Sequence, residues 1–355
     1  MEPVYNLAII GYGGMGSYHA NHIIPTHLNI KVIGTFDILD ERQQVAIQDG
    51  FHAYESLESL LNDSNVQIVL IATPNDIHKE LTIQALRAHK HVVCEKPVTI
   101  TCDELKEIME VEKETGYVFM VHQNRRWDED FLIAKEIYDR KLIGDVFTFE
   151  SRVQGANGIP GDWRHLKCHG GGMLLDWGVH LLDQLLMMVN SKMMSVFTTM
   201  STVLGDDVDD GFQAVITFEN GVKALIEVGT TNFIQLPRWY LCGTDGSAVI
   251  ENWNLDGQLV IRNDIANVQA PTPIKAGQGL TKTMAPPSEE ATTKKDLPAP
   301  QAVSQSFYEN LLAVIEGQSA PIVKNEEVLR VMNLIEMIFK AATLNEVVKD
   351  FDTYI

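Results

Sequence analysis

Five short apolar runs, separated by segments with helical periodicity, constrain the fold of the first third of this chain. The runs are YNLAII (5–10), KVIGTF (31–36), VQIVLIA (66–72), HVVCE (91–95) and YVFMV (117–121). Segments 78–89 and 102–116 lie between them and repeat apolar residues at the spacing of a helix. Nearly continuous apolar strands that alternate with helices are typical of a parallel sheet covered on both faces. The sequence therefore predicts an α/β domain at the start of the chain.

The pattern changes from about residue 145 onward. Strand-like segments joined by turns follow one another in VFTFESRV, SVFTTMSTV, FQAVITFENGVKALIEVGTT, RWYLCGTDGSAVIE and GQLVIR. Asn220-Gly221 is a strong signal for a two-residue hairpin. These features predict an antiparallel sheet. The segment 263–300 is rich in Pro, Thr, Lys and Ala without an apolar period, so we expect a long surface excursion there.

Helical periodicity returns near the end of the chain, in 301–317 and 325–346. The second of these segments has an apolar face formed by Val328, Val331, Met332, Ile335, Ile338 and Phe339.

Size and charge narrow the classes of function. A chain of 355 residues with 45% apolar residues exceeds the usual size of one hydrophobic core, so we expect two domains. A net charge of −20 repels phosphate backbones and anionic lipid headgroups, which argues against nucleic-acid and membrane partners. We expect a soluble, cytoplasmic protein, because the apolar run at the start lacks a preceding basic region and no run reaches about 18 apolar residues.

The four cysteines, Cys94, Cys102, Cys168 and Cys242, do not have the spacing of a zinc site and are too few for a disulfide framework. Reduced thiols in a cytoplasm fit best. Cys168 stands beside His169, but two adjacent side chains without a further ligand make a weak metal site. We therefore expect no metal.

The segment AIIGYGGMG (8–16) places Gly11, Gly13 and Gly16 in GxGxxG spacing directly after the first strand. Such a turn, which here also contains Tyr12, Gly14 and Met15, lets the backbone and a helix N-terminus approach a pyrophosphate. The alternative is a glycine-rich surface turn.

Asp37 ends the second strand, 21 residues after Gly16, where a carboxylate accepts hydrogen bonds from ribose hydroxyls. Its charge would repel a 2′-phosphate, and Ile38 and Leu39 supply no cation. NAD is therefore favoured over NADP, although Arg42 lies nearby. The alternative for Asp37 is a helix N-cap.

Two further strand ends face the same edge of the predicted sheet, where ligands bind in open α/β sheets. We expect Thr73, Pro74 and Asn75, with His78, to line the path of the nicotinamide ribose. An ordinary strand-to-helix turn capped by Asn75 or Asp76 is the alternative. Glu95 and Lys96 end the fourth strand, and Lys96 should project into the crevice because a charged group at a buried strand end is costly unless exposed or paired. A solvated lysine paired with Glu95 is the alternative.

Five motifs in order resemble one known family. AIIGYGGMG, ATPNDIH, CEKPV, NRRWD and GGGMLLDWGVHLLD are similar to those of the Gfo/Idh/MocA oxidoreductases, and the resemblance runs from residue 5 to about 345. It implies an NAD-binding Rossmann domain at 1–124 and an α+β domain at 125–355 whose open, mostly antiparallel sheet binds substrate and forms a homodimer or homotetramer. It also implies NAD(P)-dependent transfer of a hydride to or from a secondary hydroxyl or carbonyl of a sugar, inositol or related polyol.

The resemblance assigns the catalytic roles. It places Lys96 at the substrate hydroxyl, also in contact with the cofactor, and makes His180 the acid/base with Asp176 as its nearby carboxylate. Trp177 replaces the commoner aliphatic residue of this element, and Cys168 precedes its glycines; both departures concern the identity of the substrate.

Asp176 and His180 are four apart on a predicted helix and would share a face. A carboxylate near an imidazole favours the protonated ring and orients it. The glycines at 170–172 would let the backbone pass close to a ligand. The alternative is an Asp that favours the helix dipole and a hydrogen-bonded core histidine.

Other residues supplement this site. We expect Asn124 to contact cofactor and substrate, Glu95 to contact the cofactor, and Arg125, Trp163 and Arg164 to contact substrate. Surface ion pairs and solvated loop charges, including Lys167, are the alternative. Two other functions stay open: a non-catalytic NAD-binding sensor or subunit on the same scaffold, and a reductase of another small carbonyl or unsaturated compound.

Overall fold

The computed structural model describes residues 3–263, 272–287 and 289–349. Its strands are β1 (Tyr5–Ile10), β2 (Ile30–Phe36), β3 (His52–Ala53), β4 (Ile68–Ile71), β5 (His91–Cys94), β6 (Phe119–Val121), β7 (Val146–Gln154), β8 (Met193–Ser201), β9 (Gly211–Phe218), β10 (Lys223–Gly229), β11 (Trp239–Gly243), β12 (Gly246–Ile250), β13 (Gly257–Arg262), β14 (Ile274–Ala276), β15 (Gly279–Thr281) and β16 (Thr292–Lys295). Its helices are α1 (Gly14–Tyr18), α2 (Asp40–Gln48), α3 (Leu57–Asn62), α4 (His78–Arg87), α5 (Cys102–Thr115), α6 (Glu129–Asp139), α7 (Val179–Met188), α8 (Phe307–Ile315) and α9 (Asn325–Leu344).

The first six strands form a parallel sheet in the order β3-β2-β1-β4-β5-β6. All four residues of β4 are buried. Because successive side chains of a strand point to opposite faces, both faces of this sheet are covered, which confirms the predicted α/β domain. The strand order reverses between β1 and β4, so a crevice for ligands lies at their carboxyl ends.

Local signals place the helices of this domain. Helix α5 begins at Thr101, whose hydroxyl accepts from the Glu104 backbone N–H while the Glu104 carboxylate accepts from that of Thr101. It ends at Gly116 in the left-handed conformation, with φ of 72°. The predicted helices 78–89 and 102–116 are α4 and α5.

The second sheet has eight strands in the order β16-β13-β12-β11-β7-β10-β9-β8. Strands β7 and β10 pair in parallel, and the other neighbours are antiparallel. A hairpin through Asn220-Gly221 joins β9 to β10, with φ of 88° at Gly221. The mostly antiparallel α+β domain is therefore confirmed.

The predicted surface excursion, 263–300, contributes to this sheet. Its segment Thr292–Lys295 is the edge strand β16, hydrogen-bonded to β13. The small hairpin β14–β15 lies earlier in the segment. Residues 264–271 and 288, which also belong to the predicted excursion, are outside the described residues.

The last two helices return to the first domain. In α8, the Tyr308 hydroxyl lies 2.8 Å from Nδ1 of His19. In α9, Asn325 donates to the Phe119 carbonyl of β6 at 3.2 Å, and Glu336 accepts from the Cys102 backbone at 2.7 Å. These contacts tie the last two helices to the first sheet and its helices, in addition to the chain connection that follows β6. Across the described ranges, no helix is both long and apolar enough to cross a bilayer.

Arg126, in the turn that follows β6, joins two helices of the second domain through ion pairs. Its guanidinium, 2% exposed, binds the Asp183 carboxylate of α7 at 2.7 and 2.8 Å and the Glu327 carboxylate of α9 at 2.7 Å. The Asp183 side chain is also only 2% exposed. Removing one partner of a buried ion pair leaves the other charge uncompensated.

We expect Arg126→Ala to lower the free energy of unfolding by about 3 to 5 kcal/mol, since Asp183 would stay buried without a counter-charge. Urea denaturation measures this loss. Arg140→Ala is the matched control, because Arg140 is 65% exposed and pairs with Glu136 at the surface; it should cost about 0.5 kcal/mol or less. Equal losses in the two variants would contradict this role of Arg126.

Candidate active site

The glycine turn after β1 has one packed side and one open side. Gly11 has φ of 91°, and a Cβ on Gly16 would lie 2.0 Å from the Gly11 carbonyl oxygen, so neither position accepts a side chain. A Cβ on Gly13 or Gly14 would meet no atom within 4 Å. The closed side packs helix against strand, and the open side leaves room for a pyrophosphate beside backbone N–H groups. Met15, half-buried, completes the turn.

Asp37 ties the second strand to this turn. Its Oδ2 accepts from the Tyr12 backbone N–H at 2.7 Å, and its Oδ1 accepts from that of Leu39 at 2.9 Å. Each carboxylate oxygen keeps capacity to accept from a ribose hydroxyl. The Tyr12 ring itself is buried and donates to Asp49, so Tyr12 offers only its backbone to a ligand. Ile38, 83% exposed, leaves the surface beyond Asp37 open.

The turn after β4 contains both half-buried and buried residues. Thr73 and Pro74 are half-buried at the crevice. Asn75 is buried and donates to the Gly170 carbonyl at 2.9 Å. The ring nitrogens of His78, also buried, lie 2.9 Å from the Pro97 carbonyl and 3.0 Å from that of Thr73. The side chains of Asn75 and His78 therefore hold neighbouring loops in place, and their predicted contact with the cofactor stays a prediction.

Lys96 meets the second domain at Asp176. Its Nζ lies 3.1 Å from Asp176 Oδ1 and 2.9 Å from the Asp176 carbonyl oxygen. Arg164 Nε lies 3.1 Å from the same Oδ1. Burial alone would raise the pKa of Asp176, but the two cations outweigh it and lower that pKa. The carboxylate therefore stays ionised and fixes the ammonium at the crevice.

His180 is 5% exposed and lies one turn beyond Asp176. Burial, followed by the charges of Lys96 and Arg125, lowers its pKa well below the usual value, and Glu95 only partly opposes this. The sequence expectation of a ring kept protonated by Asp176 is wrong, because that carboxylate is bound to Lys96 and Arg164. His180 is neutral near pH 7, which is the form that accepts a proton.

The backbone around Asp176 is irregular. Leu174–Gly178 forms a π-helical turn before α7 begins at Val179. Such turns are frequent at functional sites. A Cβ on Gly171 would lie 2.3 Å from the Arg164 carbonyl oxygen, and one on Gly172 would lie 2.3 Å from Asp209 Oδ1. Packing within the protein therefore explains why both positions are glycine; their expected approach to a ligand stays a prediction.

Sequence analysis missed a buried cluster around Glu95. Oε1 of Glu95 lies 2.7 Å from Nε2 of His19 and 2.8 Å from Nδ1 of His122, and Tyr308 bonds the other nitrogen of His19. Burial opposes ionisation, yet the two histidines hold the pKa of Glu95 well below its usual value. Glu95 Oε2 accepts from the Lys96 backbone at 3.2 Å. No local pattern links positions 19, 95, 122 and 308, so no sequence signal could have found the cluster.

Glu95, His19 and His122 are residue types that bind metal ions. One possible ligand atom from each lies within 4.8 Å of those of the other two. However, Nε2 of His19 and Nδ1 of His122 both lie at hydrogen-bond distance from Oε1 of Glu95. An N–H on each ring can donate to that oxygen directly. We interpret the group as a hydrogen-bond cluster that backs Lys96. The adjacent pair Cys168 and His169 was considered above as a weak metal site. Cys168 is exposed, and Nδ1 of His169 lies 3.0 Å from a carboxylate oxygen of Asp76.

The supporting residues lie around this centre. Asn124 and Arg125 are half-buried in the turn after β6, and Arg125 pairs with Asp128 at 2.9 Å. Trp163 stacks under the Arg164 guanidinium, with 4.7 Å between Cζ and the ring centroid. The structure therefore brings together Lys96, Asp176, His180, Arg125 and Arg164, which the sequence separates by up to 84 positions.

Two family models match the two halves of this site. Residues 5–123 match the model of the oxidoreductase family with an NAD-binding Rossmann fold, and residues 131–249 match that of the GFO/IDH/MocA C-terminal domain. The chain belongs to the Gfo/Idh/MocA family of oxidoreductases. The resemblance seen in the sequence is thereby confirmed.

Individual members of the Gfo/Idh/MocA family add detail. The crystal structure of an NAD-binding protein from Listeria innocua is 60% identical, with a TM-score of 0.96, over 98% of this chain and 100% of that one. The scyllo-inositol 2-dehydrogenase (NADP(+)) IolW of Bacillus subtilis (strain 168) is 27% identical over 71% of this chain and 70% of its own length. The NAD(+) scyllo-inositol 2-dehydrogenase of the same strain is 28% identical over 70% of this chain and 75% of its own.

Some curated relatives match over a shorter span. Two oxidoreductases of Schizosaccharomyces pombe are 42% and 41% identical, and the chain covers 36% of the length of each. Across these comparisons the family and its NAD-binding Rossmann fold are common, while the matched relatives include both NAD(+) and NADP(+) enzymes.

The buried histidines predict how stability changes with pH. Burial lowers the pKa of five histidines, so the unfolded chain takes up protons near pH 6.5 that the folded protein does not; they are His19, His27, His78, His91 and His180. The free energy of unfolding should therefore fall as the pH is lowered from about 7.5 to 6. Asp209, whose pKa burial raises to about 6, acts in the opposite sense, but it is one group against five histidines.

Urea denaturation at several pH values measures this slope. His180→Gln should make this slope shallower because one of the five rings is removed, whereas His22→Gln, at an exposed position, should leave it unchanged. A slope in His180→Gln as steep as in the native protein would mean that His180 is not held neutral.

Proposed function

We propose that this protein is an NAD-linked oxidoreductase that transfers a hydride between a nicotinamide cofactor and a secondary hydroxyl or carbonyl of a sugar, inositol or related polyol. The observation that carries the proposal is the ion pair between Lys96 and Asp176 at the carboxyl edge of the first sheet, where the glycine turn also lies. Asp176 stands one turn before His180, whose pKa is low enough to leave it neutral. The inositol dehydrogenases among its relatives support the substrate class.

The residues present fit a dinucleotide. Gly13 and Gly14 leave an open cradle, and the Asp37 carboxylate stands at the end of β2 with accepting capacity on both oxygens. We propose that Asp37 accepts from the adenosine ribose and that its charge selects NAD over NADP. Thr73, Pro74 and Asn124, all half-buried at the crevice, would line the nicotinamide end. When bound, the nicotinamide supplies the acceptor or donor of the hydride.

His180 moves the proton. In the oxidative direction the substrate C–H bond breaks with loss of a hydride, and the hydroxyl proton passes to a ring nitrogen of His180 as the C=O bond forms. A neutral imidazole can accept this proton. Burial and the cations around the ring keep it neutral before the substrate hydroxyl gives up its proton. In the reverse direction the protonated ring returns the proton to the new alkoxide.

Lys96 stabilises the negative charge that develops on the substrate oxygen. Asp176 and the Asp176 carbonyl hold its ammonium in place, so no reorganisation is needed when that charge appears. The Glu95 cluster fixes the backbone that carries Lys96. A non-catalytic sensor would require the glycine turn and Asp37 but not Lys96, Asp176 and His180 together. We therefore favour the enzyme.

We also infer that the protein acts in the cytoplasm as a homo-oligomer. All four cysteines are free thiols, as in reducing compartments. The second sheet presents outward-facing apolar side chains on paired strands, among them Phe197 opposite Val215, which are 37% and 43% exposed. Such a surface is typical of subunit contacts. The molar mass in solution distinguishes a monomer, a dimer and a tetramer.

We expect His180→Ala to lose about 10²- to 10⁴-fold in turnover of the authentic polyol, since the general base is removed. Lys96→Ala should lose a comparable factor in turnover while it still binds NAD. Both are measured through the absorbance of NADH, with NAD binding followed by calorimetry. Near-native turnover in His180→Ala would remove that residue from the mechanism, and loss of NAD binding in Lys96→Ala would reassign Lys96 to the cofactor.

The role of Asp37 predicts a change in cofactor preference. Asp37→Ala should weaken NAD by removing the ribose acceptor and should improve NADP relative to NAD by removing the repulsion of the 2′-phosphate. The ratio of kcat/KM for NAD to that for NADP should fall about tenfold or more, because a lost charged hydrogen bond is worth about 1.5 to 3 kcal/mol. Asp40→Ala, an exposed carboxylate three residues later, is the control. An unchanged ratio in Asp37→Ala would refute this basis for NAD preference.

A further inference from the structure

Trp177 belongs to a column of alternating aromatic and cationic side chains that reaches from the core of the second sheet to His180. The Arg238 guanidinium lies between Trp239 and Trp253, with 4.5 and 4.9 Å from Cζ to the two ring centroids. The Arg125 guanidinium lies 4.2 Å from the ring centroid of Trp177 and 5.6 Å from that of Trp253.

The exposed part of this column lies beside the catalytic histidine. The ring centroid of Trp177 is 6.0 Å from that of His180 and 6.3 Å from that of Trp253. Trp253 is 50% exposed, and it stands in the turn between β12 and β13, where Asn252 accepts from the Asn254 backbone at 2.9 Å. This hydrogen-bonded turn therefore places the large, half-exposed indole of Trp253 next to the site.

The cations of the column are matched by carboxylates. Arg125 pairs with Asp128 at 2.9 Å. Arg238 Nε lies 3.0 Å from Asp130 Oδ2, and its Nη1 donates to Ser151 at 2.6 Å. The cations on the other side of the site, Lys96 and Arg164, share Asp176, and Arg164 also binds Asp162. With each of these charges paired, the site offers little attraction to an anionic substrate.

The exposed indole surface suits a ring with polarised C–H bonds. An aromatic face carries partial negative charge and attracts positively polarised edges, and each cation stacked behind a ring holds it rigidly. The carbon-bound hydrogens of a six-membered polyol or pyranose form such an apolar patch, while the hydroxyls point outward to polar groups. An open-chain polyol does not present this flat patch in one fixed conformation and would lose more entropy on binding.

We propose that Trp177 and Trp253 form an aromatic platform that binds the C–H face of a neutral six-membered ring, so that the enzyme selects cyclic polyols or pyranoses over open-chain polyols and sugar acids. This inference rests on the proposed function, since it names the substrate class of the same site. The platform binds substrate, and its contribution should appear in KM more than in kcat.

The test compares Trp253→Ala, Trp253→Phe and the native enzyme on inositols and pyranoses, on open-chain hexitols and on uronates, with both NAD and NADP. Trp253→Ala should raise KM for the ring substrates by about tenfold with little change in kcat, because both the stacking face and the apolar area that it covers are lost. Trp253→Phe should retain most of the affinity. The preference for rings over open-chain polyols should fall in Trp253→Ala.

Phe147→Ala is the matched control. Phe147 is 49% exposed on the same sheet, at the start of β7. The start of β7 pairs with the end of β11, whereas the end of β12, next to Trp253, pairs with the start of β11. The two residues therefore lie at opposite ends of β11. Its replacement should leave the ratio of ring to open-chain turnover unchanged.

The outcomes separate the two proposals. A native enzyme that oxidises none of these compounds with either cofactor refutes the proposed function. A native enzyme that prefers rings, with equal losses for rings and open chains in Trp253→Ala, refutes only the platform. Tryptophan fluorescence provides a measure without turnover: quenching by a ring polyol in the native protein that weakens in Trp253→Ala supports the platform, and equal quenching in both contradicts it.

Discussion

The ion pair between Lys96 and Asp176 joins the two domains at the site on which every proposed role depends. Lys96 comes from the end of β5 in the first sheet, and Asp176 comes from the turn that precedes α7 in the second domain. Their side chains are 13% and 15% exposed, so both charges have lost much of their hydration. That cost is offset only when the pair is well bonded, and Arg164 and the Asp176 carbonyl supply the further bonds.

Charge balance extends outward from this pair. Behind Lys96, His122 and His19 hold the pKa of Glu95 well below its usual value, and burial together with the charges of Lys96 and Arg125 holds the pKa of His180 well below its own. A site in which each ionised group already has a partner changes little when a neutral molecule enters. This arrangement leaves the imidazole as the group whose protonation can change during a reaction, and it leaves shape and stacking to select the substrate.

The sequence predicted the elements that local chemistry controls. Apolar runs gave strands within one or two residues of their observed limits, capping residues placed α5, and Asn220-Gly221 formed its hairpin. Errors arose where distant residues took part. The sequence did not reveal that Gly171 packs against Arg164 and Gly172 against Asp209. The carboxylate of Asp176 was assigned to His180 but bonds with Lys96 and Arg164, so the expected protonation of the ring was reversed.

By itself, then, the sequence determined the two fold classes and the identity of Lys96, Asp176 and His180 as the residues to examine, because backbone preference, apolar period and motif spacing are properties of neighbouring residues. Only the tertiary structure decided the partners of these groups. The contacts of His19 with Glu95 and Tyr308, and of Trp177 with Trp253, join positions 76 to 289 residues apart. Such contacts depend on how whole sheets and helices pack, and packing leaves no periodic trace along the chain.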